Sequence, residues 1–86
     1  MDEEQIKKVQ EILMNWNPLG DRASEIEDLN DYETEAVDIL FHIDKKSSVD
    51  RINKMMTTVI YQAFGVYHDL KDTIKYANQI RKTYTK

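Results

Sequence analysis

The chain has 86 residues, enough for one domain around a single core and too few for two. Apolar residues make up 41% of it and charged residues 33%, with a net charge of −4, so it belongs with globular rather than disordered chains. Without cysteine it has neither a disulfide framework nor a thiolate metal site, no apolar run approaches the ~20 residues of a membrane span, and the opening Met1-Asp2-Glu3-Glu4 is acidic where a secretory signal is basic and then apolar. The expectation is one cytoplasmic domain covering residues 1–86, with a stability of roughly 4–13 kcal/mol on the usual per-residue scale.

Ile6, Val9, Ile12, Leu13 and Trp16 recur at helical spacing and predict an amphipathic helix over 3–16. Asp2 and Gln5 have the spacing of a capping box, and Glu3 and Glu4 suit the positive end of the helix dipole. The helix stops where rare residues gather: the only tryptophan, the only proline and one of the two glycines fall within Trp16-Asn17-Pro18-Leu19-Gly20. Pro18 disfavours helical geometry at Asn17, and Asn, Pro and Gly in first, second and fourth place predict a type I turn. Leu19 in third place argues against type II, which needs φ > 0 there. Trp16, the last apolar position of that helix, is expected to pack one ring edge inward and to leave part of the ring exposed for a partner.

Ala23, Ile26 and Leu29 keep a three-residue spacing that supports a turn or two of helix after Asp21. Asn30 and Glu33 repeat the capping-box spacing, and Tyr32, Ala36, Val37, Ile39, Leu40 and Ile43 predict a second helix over 31–43. Asp44-Lys45-Lys46-Ser47-Ser48 ends it. A third helix starts after Ser47 with Asp50 in its first turn, carries Val49, Ile52, Met55, Met56, Val59, Ile60, Ala63 and Phe64, and ends at Gly65 as its C′ residue. The fourth, over 66–84, places Val66, Leu70, Ile74, Ala77 and Ile80 on its buried side and Lys71, Lys75, Lys82 and Lys86 on the far side. No segment alternates with period two, so the fold class is all-α, a small antiparallel bundle of three to four helices.

The modest net charge conceals an asymmetry. Residues 1–44 hold 13 acids against Lys7, Lys8 and Arg22, a balance of −10, whereas residues 45–86 hold Asp50, Asp69 and Asp72 against nine Lys and Arg, a balance of +6. Either the halves neutralise each other, within the fold or across a symmetric dimer, or the acidic half is a docking face.

Chemistry has thin support. Asp21, Glu25, Glu27, Asp28, Asp31, Glu33, Glu35 and Asp38 crowd one stretch, yet the EF-hand spacing with its central glycine is missing, so helix caps and a solvated acidic face account for them. His42 and His68 lack the partners of a metal set, Ser24, Ser47 and Ser48 lack a nucleophile elbow, and two glycines 45 residues apart cannot form a phosphate loop. Lys71, Lys75, Arg81 and Lys82 interleave with Tyr76 and Tyr84, but an isoelectric point near 5.1 and the acidic first half oppose phosphates, so nucleic acid is not an expected partner.

Two resemblances add to this reading. Glu35-Ala36-Val37-Asp38-Ile39-Leu40 resembles the second acidic motif of MazG-type nucleotide pyrophosphohydrolases, all-α enzymes that hold magnesium with carboxylates, although the paired Glu-x-x-Glu on a preceding helix has no counterpart beyond Glu25-Ile26-Glu27-Asp28. Trp16-Asn17-Pro18-Leu19-Gly20, followed by Asp28-Leu29-Asn30-Asp31-Tyr32-Glu33-Thr34-Glu35-Ala36, resembles over essentially the whole chain the small bacterial family typified by Bacillus YugE. Its members carry a Trp-Asp-Pro-(Ile/Leu)-Gly turn before an acidic-tyrosine segment. That resemblance implies a small helical fold and a candidate surface, and no mechanism; Asn17 stands where an Asp is common, which argues against a metal ligand or catalytic acid there.

The function expected is therefore a small acidic protein-protein interaction module with no catalytic residues and no cofactor. Its surface joins Trp16, Asn17, Pro18 and Gly20 to Asp28, Asp31, Tyr32 and Glu35. In its most concrete form it is immunity- or inhibitor-like and covers a basic protein partner, because charge complementarity speeds and selects such complexes. A homodimer joining the acidic half of one chain to the basic half of another is the second arrangement. The competing class is a metal-dependent nucleotide hydrolase of MazG-like type using Glu35, Asp38 and either Glu27 or Asp31. No membrane contact is expected.

Overall fold

A computed structural model describes residues 2–27 and 29–84. Met1, Asp28, Thr85 and Lys86 lie outside them, and with them one of the expected surface carboxylates and the last member of the lysine stripe. The described residues form four α-helices, α1 (Glu3–Trp16), α2 (Glu33–His42), α3 (Val49–Phe64) and α4 (Leu70–Lys82), with 3₁₀ turns at Gly20–Glu25 and Asn30–Tyr32 and no strand. The chain is thus an all-α bundle. The helices pack as a ring, each against its neighbours in sequence, with α4 closing back onto α1.

Periodicity and caps explain where most elements lie. In α1, Val9, Ile12 and Leu13 turn into the core, where they meet Ala36 and Ile39 of α2, Ile52, Met56 and Ile60 of α3, and Ala77 and Ile80 of α4. The Asp2 carboxylate caps α1 by accepting from the Glu4 N–H at 2.9 Å. Gln5 does not complete a capping box; its side chain donates to Thr83 Oγ1 at 3.2 Å, tying the start of α1 to the far end of an antiparallel α4. At the other end Asn17 takes left-handed geometry at φ 53° and its N–H closes onto the Leu13 carbonyl at 2.9 Å. The Gly20 N–H bonds the Asn17 carbonyl at 3.1 Å with Leu19 at φ −92° and ψ −13°, the type I turn expected from the sequence.

The second helix departs from expectation at its start. Asn30, Asp31 and Tyr32 all have positive φ (49°, 56° and 65°), so Asn30 lacks the extended geometry of an N-cap, no capping box forms, and α2 begins only at Glu33. A buried ring lies behind this turn: Tyr32 is 3% exposed and packs edge-on against Phe64, ring centres 6.4 Å apart. Gln10 of α1 braces the turn by donating to the carbonyls of Asn30 and Asp31 at 3.3 and 3.4 Å.

Ser48, not Ser47, caps α3, accepting from the Arg51 N–H at 3.1 Å. Ser47 is buried, accepts from the Asp44 N–H, and offers its carbonyl to the Arg81 guanidinium at 2.9 Å. Gly65 ends α3 in left-handed geometry at φ 71°, as expected from its place in the sequence.

The last helix is shorter than expected and rotated. It begins at Leu70 under an Asp69 cap, which accepts from the Lys71 N–H at 3.0 Å, so Val66 and His68 fall in a connection over 65–69. That connection folds back along α3 and sets Tyr67 against Tyr61, ring centres 6.5 Å apart. The buried side of α4 is Thr73, Ala77 and Ile80, whereas Leu70 and Ile74 each remain 38% exposed. The central position goes to a polar residue because its hydroxyl is satisfied: Thr73 Oγ1 donates to Asn53 Oδ1 at 2.6 Å, and Asn53 Nδ2 donates to the Leu70 carbonyl at 2.9 Å, both side chains deep in the α3–α4 seam.

Candidate interaction surface

The residues singled out in the sequence separate into two groups. Asn17, Gly20 and Asp31 are exposed and Trp16 is half-buried, as a contact surface needs, whereas Pro18, Tyr32 and Glu35 are buried and offer a partner little side-chain area. The burial of Trp16 and Pro18 has a clear physical cause. Trp16 stacks on Tyr76 of α4 (ring centres 6.0 Å, planes 27° apart) and meets the His68 ring edge-on at 5.0 Å. His68 Nε2 donates to the Pro18 carbonyl at 2.9 Å, and Lys75 Nζ lies 5.1 Å over the Tyr76 ring. The turn is thus a clasp holding the end of α1 to the 65–69 connection and to α4.

Burial raises the Tyr32 phenol above its ordinary value of 10.0, the Leu19 backbone offsets part of this, and the Glu35 charge adds to it. The hydroxyl faces that backbone without a well-formed hydrogen bond. Tyr84 is raised for the same leading reason, with the Gln5 side chain opposing and Asp44 adding.

Glu35 and Asp38, the pair of the hydrolase reading, diverge. Glu35 is turned into the bundle, while Asp38 is half-exposed and 3.6 Å from His42 Nδ1, whose ring nitrogen also meets the Asp38 carbonyl at 2.9 Å. Among the described residues no group of three or more His, Asp and Glu is placed to hold a metal ion. No described helix is long and apolar enough to cross a membrane.

Contact potential gathers instead on the α3–α4 side of the ring. An open groove of about 500 Å³ lies between α3 and the 65–70 segment, walled by Thr57, Tyr61, Tyr67 and Leu70. Past Lys54 and Leu70, which line both, it continues into a second groove of about 330 Å³ between Asp50, Lys71 and Ile74. Tyr61 (52% exposed), Tyr67 (80%), Leu70 and Ile74 are four of the seven exposed large apolar side chains among the described residues. Lys54 and Lys71 flank them, with Asp50 as the carboxylate at one end. One signal pointed here: Leu70 and Ile74 lie at core spacing, but Thr73, Ala77 and Ile80 form an equally regular stripe beside them.

The acidic half supplies α1 and α2 and the basic half α3 and α4, so each half forms one side of the ring. The ion pairs Lys8–Glu4 and His42–Asp38 each link positions i and i+4 of one helix, so neither couples the halves. No protein-family model, curated protein sequence or solved structure matches the chain.

Proposed function

We propose that this protein is an interaction module that holds an acidic, one-sidedly apolar segment of a protein partner in the groove between α3 and α4. The observation that carries this reading is the contiguous exposure of Tyr61, Tyr67, Leu70 and Ile74 between Lys54 and Lys71. Aromatic anchors with a charged rim are the composition of an interface core, and an amphipathic helix is the element that fills such a groove. Lysines flanking apolar walls favour carboxylates on the edges of the bound segment.

The immunity- or inhibitor-like form, in which a basic partner covers the carboxylates, keeps its charge but has Pro18, Tyr32 and Glu35 in the interior. Charge without an apolar anchor supports encounter more than residence. The hydrolase reading draws no support from the divergence of Glu35 and Asp38. The resemblance to the YugE-type family implies a small helical fold and supplies no chemistry.

Fluorescence anisotropy with two labelled synthetic helices tests the groove. One carries leucines along one side and glutamates elsewhere; the other replaces glutamate by lysine. The acidic helix should bind at least about tenfold more tightly at low salt, lose affinity as salt rises, and weaken at least about tenfold with Tyr67→Ala. Equal binding of the two helices, or of the wild type and Tyr67→Ala, overturns the reading.

A further inference from the structure

The remaining exposed large apolar side chains among the described residues lie on the other side of the ring. Apart from Met14 they are Val37 and Phe41, both on α2, with Phe41 75% exposed. At ~100° per residue, Val37 and Phe41 are about 40° apart on that helix, with Glu33 and Asp38 about 40–60° to either side of them. All four are exposed, whereas Ala36, Ile39 and Leu40 on the opposite side are buried. The outward face of α2 is thus a short acidic helix with an apolar ridge, the kind of segment that the groove between α3 and α4 is shaped and charged to take.

We infer that the groove's occupant is α2 of a second copy of this chain, with Phe41 seated between Tyr61, Tyr67 and Leu70 and with Glu33 and Asp38 approaching Lys54 and Lys71. The inference rests on the docking reading above and names its partner. Two features on one molecule support it. Most of the exposed large apolar side chains among the described residues fall on these two faces. The faces lie in regions of opposite charge, −10 over residues 1–44 and +6 over residues 45–86.

The contact is heterologous, α2 of one copy in the groove of the next. If the return contact is made, the pair closes as a two-fold dimer; if it is not, the same contact continues head to tail. Both forms predict complementation between variants, which contacts of groove to groove or ridge to ridge cannot give.

Analytical ultracentrifugation of the full chain, at low and high salt, gives the test. Wild type should self-associate at low salt and dissociate as salt rises, with the association constant falling at least about tenfold. Phe41→Glu and Tyr67→Glu should each sediment as monomers, and an equimolar mixture of the two should regain dimers containing one of each. Both positions are open to solvent, so urea midpoints close to wild type should verify that the variants are folded. Association that survives either substitution, or two monomeric variants that do not complement, overturns the inference. A wild type that stays monomeric while the acidic synthetic helix still binds also overturns it and leaves the docking reading standing. Failure of both experiments removes both.

Discussion

Two aromatic groups on this small bundle have opposite roles. Trp16, His68 and Tyr76 face one another and close the end of α1 onto α4, whereas Tyr61 and Tyr67 meet each other and face solvent. The first group contains the chain's only tryptophan, and the second only common residues. A tryptophan beside a proline turn draws attention as a contact site, but a large ring at a helix end gains most by covering the core. The tyrosines on the 65–69 connection and the end of α3 have no core left to cover.

The largest expected effect breaks the comparison at the clasp. Trp16→Ala removes both ring contacts and uncovers the α1–α4 seam, and should cost about 3 kcal/mol in urea unfolding, the low end for a buried aromatic because the ring is partly exposed. Tyr67→Ala, at 80% exposure, should change stability by no more than about 0.5 kcal/mol while weakening binding of the acidic helix. Similar stability losses at both positions would erase the distinction between clasp and groove.

Next in size is the polar pair that rotates α4. Thr73→Val leaves Asn53 Oδ1 buried without its donor and should cost about 1–3 kcal/mol. Combining it with Asn53→Leu removes both polar partners, so the double variant should lose less than the sum of the single losses. Additive losses in that cycle would mean that the pair does not act as a unit.

The same pair shows what the sequence could and could not reveal. Helices α1 and α3 were legible from end to end because period, cap and terminating turn agree within each segment. The start of α2 misled because Asn30 and Glu33 have the spacing of a capping box, while burial of Tyr32 dictates left-handed backbone through 30–32. The face of α4 misled because hydropathy ranks Leu70 and Ile74 above Thr73, and only the long-range bond to Asn53 reverses the order. The groove was hidden by that error: its two aliphatic walls were counted as core, and Tyr67 lies in a connection with no period to read. Of the anticipated surface, the turn geometry and the exposure of Asn17, Gly20 and Asp31 were legible, whereas the burial of Pro18, Tyr32 and Glu35 was not, since burial depends on what packs above a residue.

Smaller effects test the clasp and the tyrosine beside it. His68→Phe keeps a ring against Trp16 but removes the donor to the Pro18 carbonyl, and should cost about 1 kcal/mol. For Tyr32 the folded-state pKa lies above the unfolded value of 10.0, so the folded protein holds this proton more tightly. Its contribution to stability is therefore present below pH 10 and lost as pH rises through the folded-state pKa. Tyr84 acts in the same direction. Tyr32→Phe should accordingly flatten, without abolishing, the fall in stability above pH 10, as read from urea midpoints across alkaline pH. An unchanged slope would mean that the phenol is not what burial holds neutral there.

The smallest effect separates backbone from side chain in the acidic stretch. Asp31 is exposed at φ 56° between two other left-handed residues, a conformation that costs an L-residue roughly 1–2 kcal/mol and glycine almost nothing. Asp31→Gly removes that cost but adds freedom to the unfolded chain, so the net gain should be only about 0.5 kcal/mol. Asp31→Ala, which removes the same carboxylate and keeps the strain, should instead lose about 0.5–1 kcal/mol, because alanine tolerates this geometry less well than aspartate. Opposite signs from two substitutions that delete one charge can only come from the backbone. Neither variant should change binding of the acidic helix, since Asp31 does not line the groove. If both substitutions lose stability equally, the carboxylate itself holds the turn, and the acidic stretch has a part in the fold that its exposure does not reveal.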